Sequence, residues 1–394
     1  MNKKTLPHLS VEGKRVLMRV DFNVPLDSSG HIADDSRIRA TLPSIQSILQ
    51  RKGKLILMSH LGKPDGKRDP KLSLAVCAKR LSELLHKPVA FASDCVGKEV
   101  ENLIAKLKEG DVLLLENLRF HTGEEHPDQD PKFVEMLARL GDCYVNDAFG
   151  TAHRAHASTA LIAKYFPGQS ALGFLMEKEI SHLAPLLSNP EKPYFALIGG
   201  AKVSTKLGVL KSLLPKVDEL FIGGGMCFTF LQALGFKVGK SLVESKMIDA
   251  AKQLLNEKKI HLPQDLLIAD RLDNQANTQT IAFPSNIPEG WYGVDIGEKT
   301  INKWKEQFSK AKTFFWNGPV GIFEIPSFAK GTERLAQTLA NAPGKVIVGG
   351  GDSVAAIEKL SLSSRFYHLS TGGGASLEWI EFGHLPGIDA ISSE

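Results

Sequence analysis

The chain has 394 residues, 43% of them hydrophobic and 23% charged. That is a soluble globular composition, and it is too long for one core of ordinary size, so two domains are expected. A net charge of +4 is too mild to argue for nucleic acid, and no apolar run approaches a membrane span.

The N-terminal residues carry lysines with no apolar core behind them, so no signal peptide is expected. Arg15–Phe22 reads as a strand, and Ser36–Lys52 has helical spacing at Ile38, Leu42, Ile45, Ile48 and Leu49. Lys54–His60 is a strand, Leu72–His86 a helix, Val89–Ala92 a strand and Gly97–Lys108 a helix. Asp111–Leu118 is a strand, Pro131–Leu140 a helix and Cys143–Phe149 a strand. Apolar strands without clean alternation, separated by amphipathic helices, indicate a parallel sheet covered on both faces. The four cysteines, Cys77, Cys95, Cys143 and Cys227, are scattered with no CxxC pair, as reduced thiols of a cytoplasmic protein would be.

Ligands of such sheets bind beyond the carboxyl ends of the strands. Polar residues gather there: Asp21 and Asn23 after the first strand, and His60 and Lys63 after the second. Arg119 follows the fourth, Gly150, His153 and Arg154 follow the fifth, and Arg37 sits one turn into the first helix. Taken singly, Arg37 is a solvated helix charge, His60 a structural histidine and Arg119 a surface ion-pair partner. Their recurrence at several strand ends favours a site for a small polyanion.

Ala171–Leu187 has a helical stripe and is expected to link two lobes, because the strand–helix pattern restarts behind it. Tyr194–Ile198 enters Gly199–Lys206, Glu219–Ile222 enters Gly223–Gly225, and helices follow at Met226 and Met247–Glu257. Leu266–Asp270 is a strand, Thr300–Lys310 a helix, and Thr313–Trp316 a strand running into Asn317, Gly318 and Pro319. Val346–Val348 then meets Gly349–Gly351 with Asp352 and Ser353 opening a helix, and Phe366–Leu369 leads to Gly372–Gly374. Glycine permits close backbone approach, and the N–H groups of a following helix suit phosphate. Asp352 beside a phosphate implies a cation such as Mg²⁺ between them. Lys202 and Lys206 add positive charge near another glycine turn. One glycine run has weak specificity, since packing alone can demand it. Several, with charge beside two of them, indicate a magnesium–nucleotide site, although neither a P-loop nor a GxGxxG is present.

The stretches RVDFNVP, SRIRATLPSI, MSHLGKPDG, LLENLRFHTGEE, YVNDAFGTAHRAHAS, GGAKVSTK, FIGGGM, WNGPVGIFE, VGGGDSVAA and STGGGASLE occur in this order. In them the chain resembles phosphoglycerate kinase over essentially its whole length. The resemblance implies α/β architecture with two doubly wound parallel-sheet (Rossmann-like) lobes joined by a linker helix. Residues 1–170 would bind phosphoglycerate, 171–187 would connect, 188–382 would bind nucleotide, and the tail 383–394 would return to the first lobe.

It implies reversible transfer of the acyl phosphate of 1,3-bisphosphoglycerate to MgADP, giving 3-phosphoglycerate and ATP, in a cytoplasmic monomer with no nucleic-acid or membrane partner. By match, Asp21, Asn23, Arg37, His60, Arg119 and Arg154 would hold phosphoglycerate, with Gly150 and His153 in the same lining. Lys63 stands where the family commonly has Arg. Lys202 and Lys206 would meet the nucleotide phosphates, and Gly223, Gly224, Gly225, Asn317 and Pro319 would line the nucleoside pocket. Glu324 would hold the ribose, Asp352 the metal beside Gly350, Gly351 and Ser353, and Gly372, Gly373 and Gly374 the phosphoryl group in flight.

The acceptor is a carboxylate, already ionised at neutral pH, so no general base is needed. What remains is positioning and charge stabilisation, for which Arg37 and Lys202 are the candidates. The basic strand ends and the glycine loops fall on opposite sides of the connector, so the lobes are expected to close about a hinge. A nicotinamide-dependent dehydrogenase shares the sheet type but would need the missing fingerprint. A non-catalytic nucleotide-binding protein is the other alternative.

Overall fold

The computed structural model describes residues 2–283 and 285–393, which form two compact units. The first comprises the chain up to Ser181 together with the segment from His384 onward; the second is His182–Gly383.

Six short strands build the first unit: β1 (Arg15–Val20), β2 (Lys54–Met58), β3 (Ala90–Phe91), β4 (Val112–Leu114), β5 (Cys143–Asp147) and β6 (Ser170–Leu172). All pair in parallel, in the order β3-β4-β2-β1-β5-β6. Helices cover the faces, so β1 and β5 are buried almost throughout, with apolar stretches at Val16–Met18 and Cys143–Val145 and buried polar residues near their ends. Val16, Met18 and Val20 of β1 pack with Ile38, Ile45 and Ile48 of the helix Ser36–Gln50. The chain leaves β1 for β2 on one side and later places β5 on the other. The crevice beyond the ends of β1 and β5 is therefore a topological switch point.

The second unit repeats this plan. Its strands are β7 (Tyr194–Ile198), β8 (Glu219–Ile222), β9 (Ile260–His261), β10 (Asp265–Ala269), β11 (Thr278–Ala282), β12 (Tyr292–Ile296), β13 (Thr313–Asn317), β14 (Lys345–Gly349) and β15 (His368–Leu369). Six of them form a parallel sheet, β15-β14-β13-β7-β8-β9, with its switch point between β7 and β13. Trp304, Phe308, Trp316 and Leu335 dominate the core on one face.

Three expectations need correction. Residues 171 and 172 belong to β6, where Ala171 and Leu172 pair with Val145 and Asn146, so the connecting helix is Phe174–Ser188 and the chain divides inside it. The returning tail begins at His384 rather than at residue 383. The segment from 265 to 296 holds a separate antiparallel sheet, β11-β10-β12, where only one strand was expected.

The tail lies on the first unit through backbone and side-chain bonds. Gly387 donates its N–H to Ala152 at 2.8 Å, and Asn146 donates to the Gly387 carbonyl at 3.0 Å.

Candidate active site

In the first unit, the end of β1 and the segments after β2, β4 and β5 deliver two groups of charges. Arg19, the last-but-one residue of β1, is fully buried. Its guanidinium donates to Ser158 Oγ at 2.8 Å and to His60 Nδ1 at 3.1 Å. Because arginine can only donate, Nδ1 accepts, and the neutral ring carries its proton on Nε2. Burial, then the charges of Arg19, Arg119 and Arg37, holds the His60 pKa well below its ordinary value. Glu124 is buried beneath and accepts from the Ser158 N–H at 3.0 Å and hydroxyl at 2.6 Å.

Asp21, nearly buried, receives the guanidinium of the half-exposed Arg37. Asn23 Oδ1 accepts the Gly62 N–H at 2.9 Å. Arg119 is buried, donates to the Gly62 carbonyl at 2.9 Å and pairs with Glu125 at 3.1 Å. Its Nε has no partner, and desolvation lowers its pKa. Arg154 approaches the same Glu125 oxygen at 3.7 Å and donates to His153 Nε2 at 3.2 Å. Gly150 sits half-buried in the short turn Phe149–Thr151, and Lys63 is exposed. Asp21, Asn23, Arg37 and Arg119 are joined through the Asn23 N–H, which donates to Asp21 Oδ1 at 3.2 Å, and through the Gly62 turn, while His60 belongs to the Arg19 group.

Reasoning from the residues alone missed Arg19, Glu124, Glu125, Ser158 and His156. His156 is buried with no partner for Nδ1, and burial followed by the charges of Arg119 and Arg154 lowers its pKa to about 3. Arg19 stands in RVDFNVP and the others in HTGEE and HRAHAS, but an acidic pair beside an expected anion site reads as surface charge until its burial is seen.

In the second unit the switch point is made of backbone. Gly199 donates its N–H to the Asn317 carbonyl at 2.7 Å, and Gly200 to the Pro319 carbonyl at 2.9 Å. The loops after β7, β8 and β13 interlock so tightly that a Cβ on Gly224 would lie 2.6 Å from Gly200 N and 2.7 Å from the Pro319 carbonyl. After β14, Gly350 has φ +89°, and the helix Gly351–Lys359 carries Asp352 in its first turn. Ser353 is buried and its Oγ accepts the Gly318 N–H at 2.6 Å.

Two cavities adjoin there. One of about 410 Å³ is mainly apolar, walled by Phe228, Leu266, Tyr292 and Val320 with Glu324 at its edge. The other, about 280 Å³, is lined by Lys202, Thr205, Lys206, Asn317, Gly350, Gly351, Asp352 and Ser353. Gly200, Ala201, Pro319 and Asp352 border both. Lys206 Nζ donates to Asn317 Oδ1, while Asn317 Nδ2 is buried with no partner. Burial lowers the Lys206 pKa to about 8, partly offset by Asp352.

Several expected positions shift. Asn317 lies in the polar cavity rather than the apolar one, and Gly223 lies behind both, where a Cβ would strike Val320. Lys202 stands in a loop, since the helix begins only at Leu207. Gly372–Gly374 opens the helix Gly374–Phe382 and borders neither cavity.

The family model for phosphoglycerate kinase matches residues 6–382. The phosphoglycerate kinase of Trichodesmium erythraeum (strain IMS101) is 50% identical over 403 residues, covering the whole of both chains. That of Prosthecochloris aestuarii is 52% identical over 400 residues, again covering both completely. Among solved structures, phosphoglycerate kinase from Coxiella burnetii superposes with a TM-score of 0.87 at 38% identity, covering 98% of each chain. The chain therefore belongs to the phosphoglycerate kinase family, and it is a glycolytic phosphotransferase that uses a carboxyl group as acceptor.

Proposed function

We propose that the polar edge of the first unit holds the phosphoglycerate and that the two cavities of the second hold the nucleotide, its purine nucleoside in the apolar one and its phosphates in the polar one. The observation that carries this reading is the place of Asp352, which borders both cavities. A carboxylate at that junction fits Mg²⁺, a hard cation that takes one or two carboxylates plus substrate phosphates and water. Bound with the nucleotide, Mg²⁺ supplies charge neutralisation of the phosphate oxygens.

Asp21, Asn23, His60, Arg119, His153 and Arg154 orient the phosphoglycerate, with Gly150 in the lining and Lys63 as a mobile outer charge. His60 donates from Nε2, and Arg119 and Arg154 are pre-ordered by Glu125. Arg37 stabilises the acyl-phosphate oxygens on the phosphoglycerate side and Lys202 those on the nucleotide side. Lys206 and the N–H groups of Gly350 and Gly351 hold the phosphates, and Glu324 the ribose. Gly372, Gly373 and Gly374 offer N–H groups to the group in flight.

Attack by a carboxylate oxygen on the terminal phosphorus, in line with the departing ADP oxygen, needs no proton transfer. Because the two reactants are held on separate units, a closure that excludes water precedes the step. The enzyme works as a cytoplasmic monomer; among its described residues no helix is long and apolar enough to cross a membrane.

The test is a coupled assay with MgATP and 3-phosphoglycerate beside Asp352→Ala. Turnover should require Mg²⁺ and collapse in the variant. Full Mg²⁺-dependent turnover by the variant would remove Asp352 from the metal role.

A further inference from the structure

A second cluster of donor atoms lies in the first unit, apart from the residues given roles above. Asp94 and Cys95 follow β3, and His121 follows the turn Leu118–Phe120 beyond β4. The two strands are parallel neighbours, so the sheet itself fixes the separation of these loops. The carboxylate oxygen, thiol sulfur and imidazole nitrogen all lie within 4.8 Å of one another. His121 Nε2 and Asp94 Oδ1 are already 2.7 Å apart.

Further contacts hold each member in place. The Cys95 N–H donates to Asp94 Oδ1 at 2.6 Å, and the Glu116 N–H donates to the Asp94 carbonyl at 3.4 Å. The His121 ring stacks on Phe133 with centroids 5.1 Å apart. Cys95 is fully buried, whereas Asp94 and His121 are partly exposed and offer a path from solvent.

We propose that Asp94, Cys95 and His121 form a binding site for a borderline-soft divalent cation of the Zn²⁺ and Co²⁺ class. Metal–ligand bonds of about 2.0–2.3 Å to nitrogen, oxygen and sulfur place tetrahedral ligand atoms closer together than the present outer limit. Side-chain rotation of an ångström or less therefore closes the site around an ion. Sulfur and imidazole donors disfavour Mg²⁺ and Ca²⁺, which require oxygen. On binding, the Cys95 thiol releases its proton to solvent and the thiolate lone pair forms the metal–sulfur bond. Neutral His121 gives its Nε2 lone pair and keeps its proton on Nδ1. One thiolate and one carboxylate balance the dication, and a water completes four-coordination. The nearby cation is Arg68, which donates to the Ser93 carbonyl at 2.7 Å and lies 6.0 Å from the Phe120 ring. An occupied site ties the ends of β3 and β4 together.

Co²⁺ is the probe. The reduced, metal-free full-length chain should take up one equivalent, with thiolate-to-cobalt charge-transfer absorption that Zn²⁺ displaces and excess Mg²⁺ leaves alone. Cys95→Ser should abolish that absorption, and His121→Asn should weaken Co²⁺ binding at least about tenfold. No absorption in the wild type at saturating Co²⁺ would overturn the site. So would absorption that survives in Cys95→Ser, since Cys77, Cys143 and Cys227 would then be its source. If the buried serine prevents folding, His121→Asn decides: an unchanged affinity rejects the proposal.

Discussion

The two switch points, each proposed to hold a polyanion at the end of a parallel sheet, are built from different materials. The first unit uses side chains: Arg19, Arg37 and Arg119, placed by Ser158, Asp21 and Glu125. The second uses backbone, with Gly199, Gly200 and Gly224 packed too closely for any Cβ at Gly199 or Gly224. At an exposed position of a side-chain site, removing a charge costs function more than stability, because little of the fold packs on it. A backbone site loses stability when an atom is added. Substitutions should separate along this line, and the largest effect belongs to the charged site. Arg37 is half-exposed, so Arg37→Ala should leave the unfolding temperature nearly unchanged. Turnover should fall about 10³–10⁵-fold, as for other phosphoryl-transfer arginines. Steady-state kinetics with both substrates saturating checks this, and a loss under about tenfold with unaltered 3-phosphoglycerate affinity would sink it.

The reverse signature is expected at Gly224. Its φ is +68°, and an added methyl meets only backbone atoms, which cannot rotate away. Gly224→Ala should destabilise the second unit by about 1–3 kcal/mol from the backbone conformation alone, with the clash in addition. Gly351 has no positive φ and open space around it, so Gly351→Ala should stay within about 0.5 kcal/mol. Denaturant melts of both variants sharpen the contrast; equal stabilities would show that the glycines serve the ligand rather than the loops.

The same contrast explains what was legible in the sequence. Strand–helix alternation is written in hydrophobic period, so both parallel sheets and most helices could be read from it. His60, Arg119 and Asp352 could be found because charge just beyond a strand is visible in one dimension, and Arg37 because it opens the helix that follows β1. The antiparallel sheet was hidden because β11 is mostly exposed and its residues Thr278–Ala282 mix polar with apolar without strict alternation. Ala171 was assigned to the helix because an apolar strand and an apolar helix start look alike over a few residues. Arg19 and Glu124 were invisible for another reason. Their importance lies in burial and in bonds to Ser158, residues 139 and 34 positions away in the chain.

Asp147 in the first unit and Asp295 in the second are both buried against the start of a helix, and these two should behave alike. Asp147 accepts from Leu175 N–H at 2.9 Å and Met176 N–H at 3.3 Å, with its other oxygen unpartnered. Asp295 accepts from Gly331 N–H at 2.6 Å and Ile296 N–H at 2.8 Å. Burial outweighs these bonds and raises both pKa values to about 7. A raised folded pKa means the native state binds more protons than the unfolded chain between about pH 4 and 7. The contribution of each carboxyl to stability should therefore fall across that window, by up to ~1.4 kcal/mol per pH unit, and level off above it, against an opposite contribution from the lowered pKa values of His60 and His156. Asp147→Asn should remove that carboxyl's own contribution to the slope and leave that of Asp295. An unchanged profile of denaturant midpoint against pH would show that Asp147 is ionised in the folded protein.

The smallest effect concerns Lys206, a side-chain charge in the otherwise backbone-built site. Its ammonium donates to Asn317 in the cavity proposed for the phosphates, and burial, partly offset by Asp352, lowers its pKa to about 8. Without nucleotide, a lysine with that pKa is about half neutral at pH 8 by the ordinary titration relation. Phosphate oxygens beside it favour the charged form and push the pKa back up. ADP binding at pH 8 should therefore draw about half a proton per site from the buffer, and almost none at pH 6.5. Calorimetric titrations in two buffers of different ionisation enthalpy measure the uptake as a difference in heat. Lys206→Arg keeps the charge but cannot titrate, so its two heats should coincide. Identical heats for the wild type at pH 8 would mean that Lys206 is already fully charged, its desolvation offset by Asp352 before any nucleotide arrives.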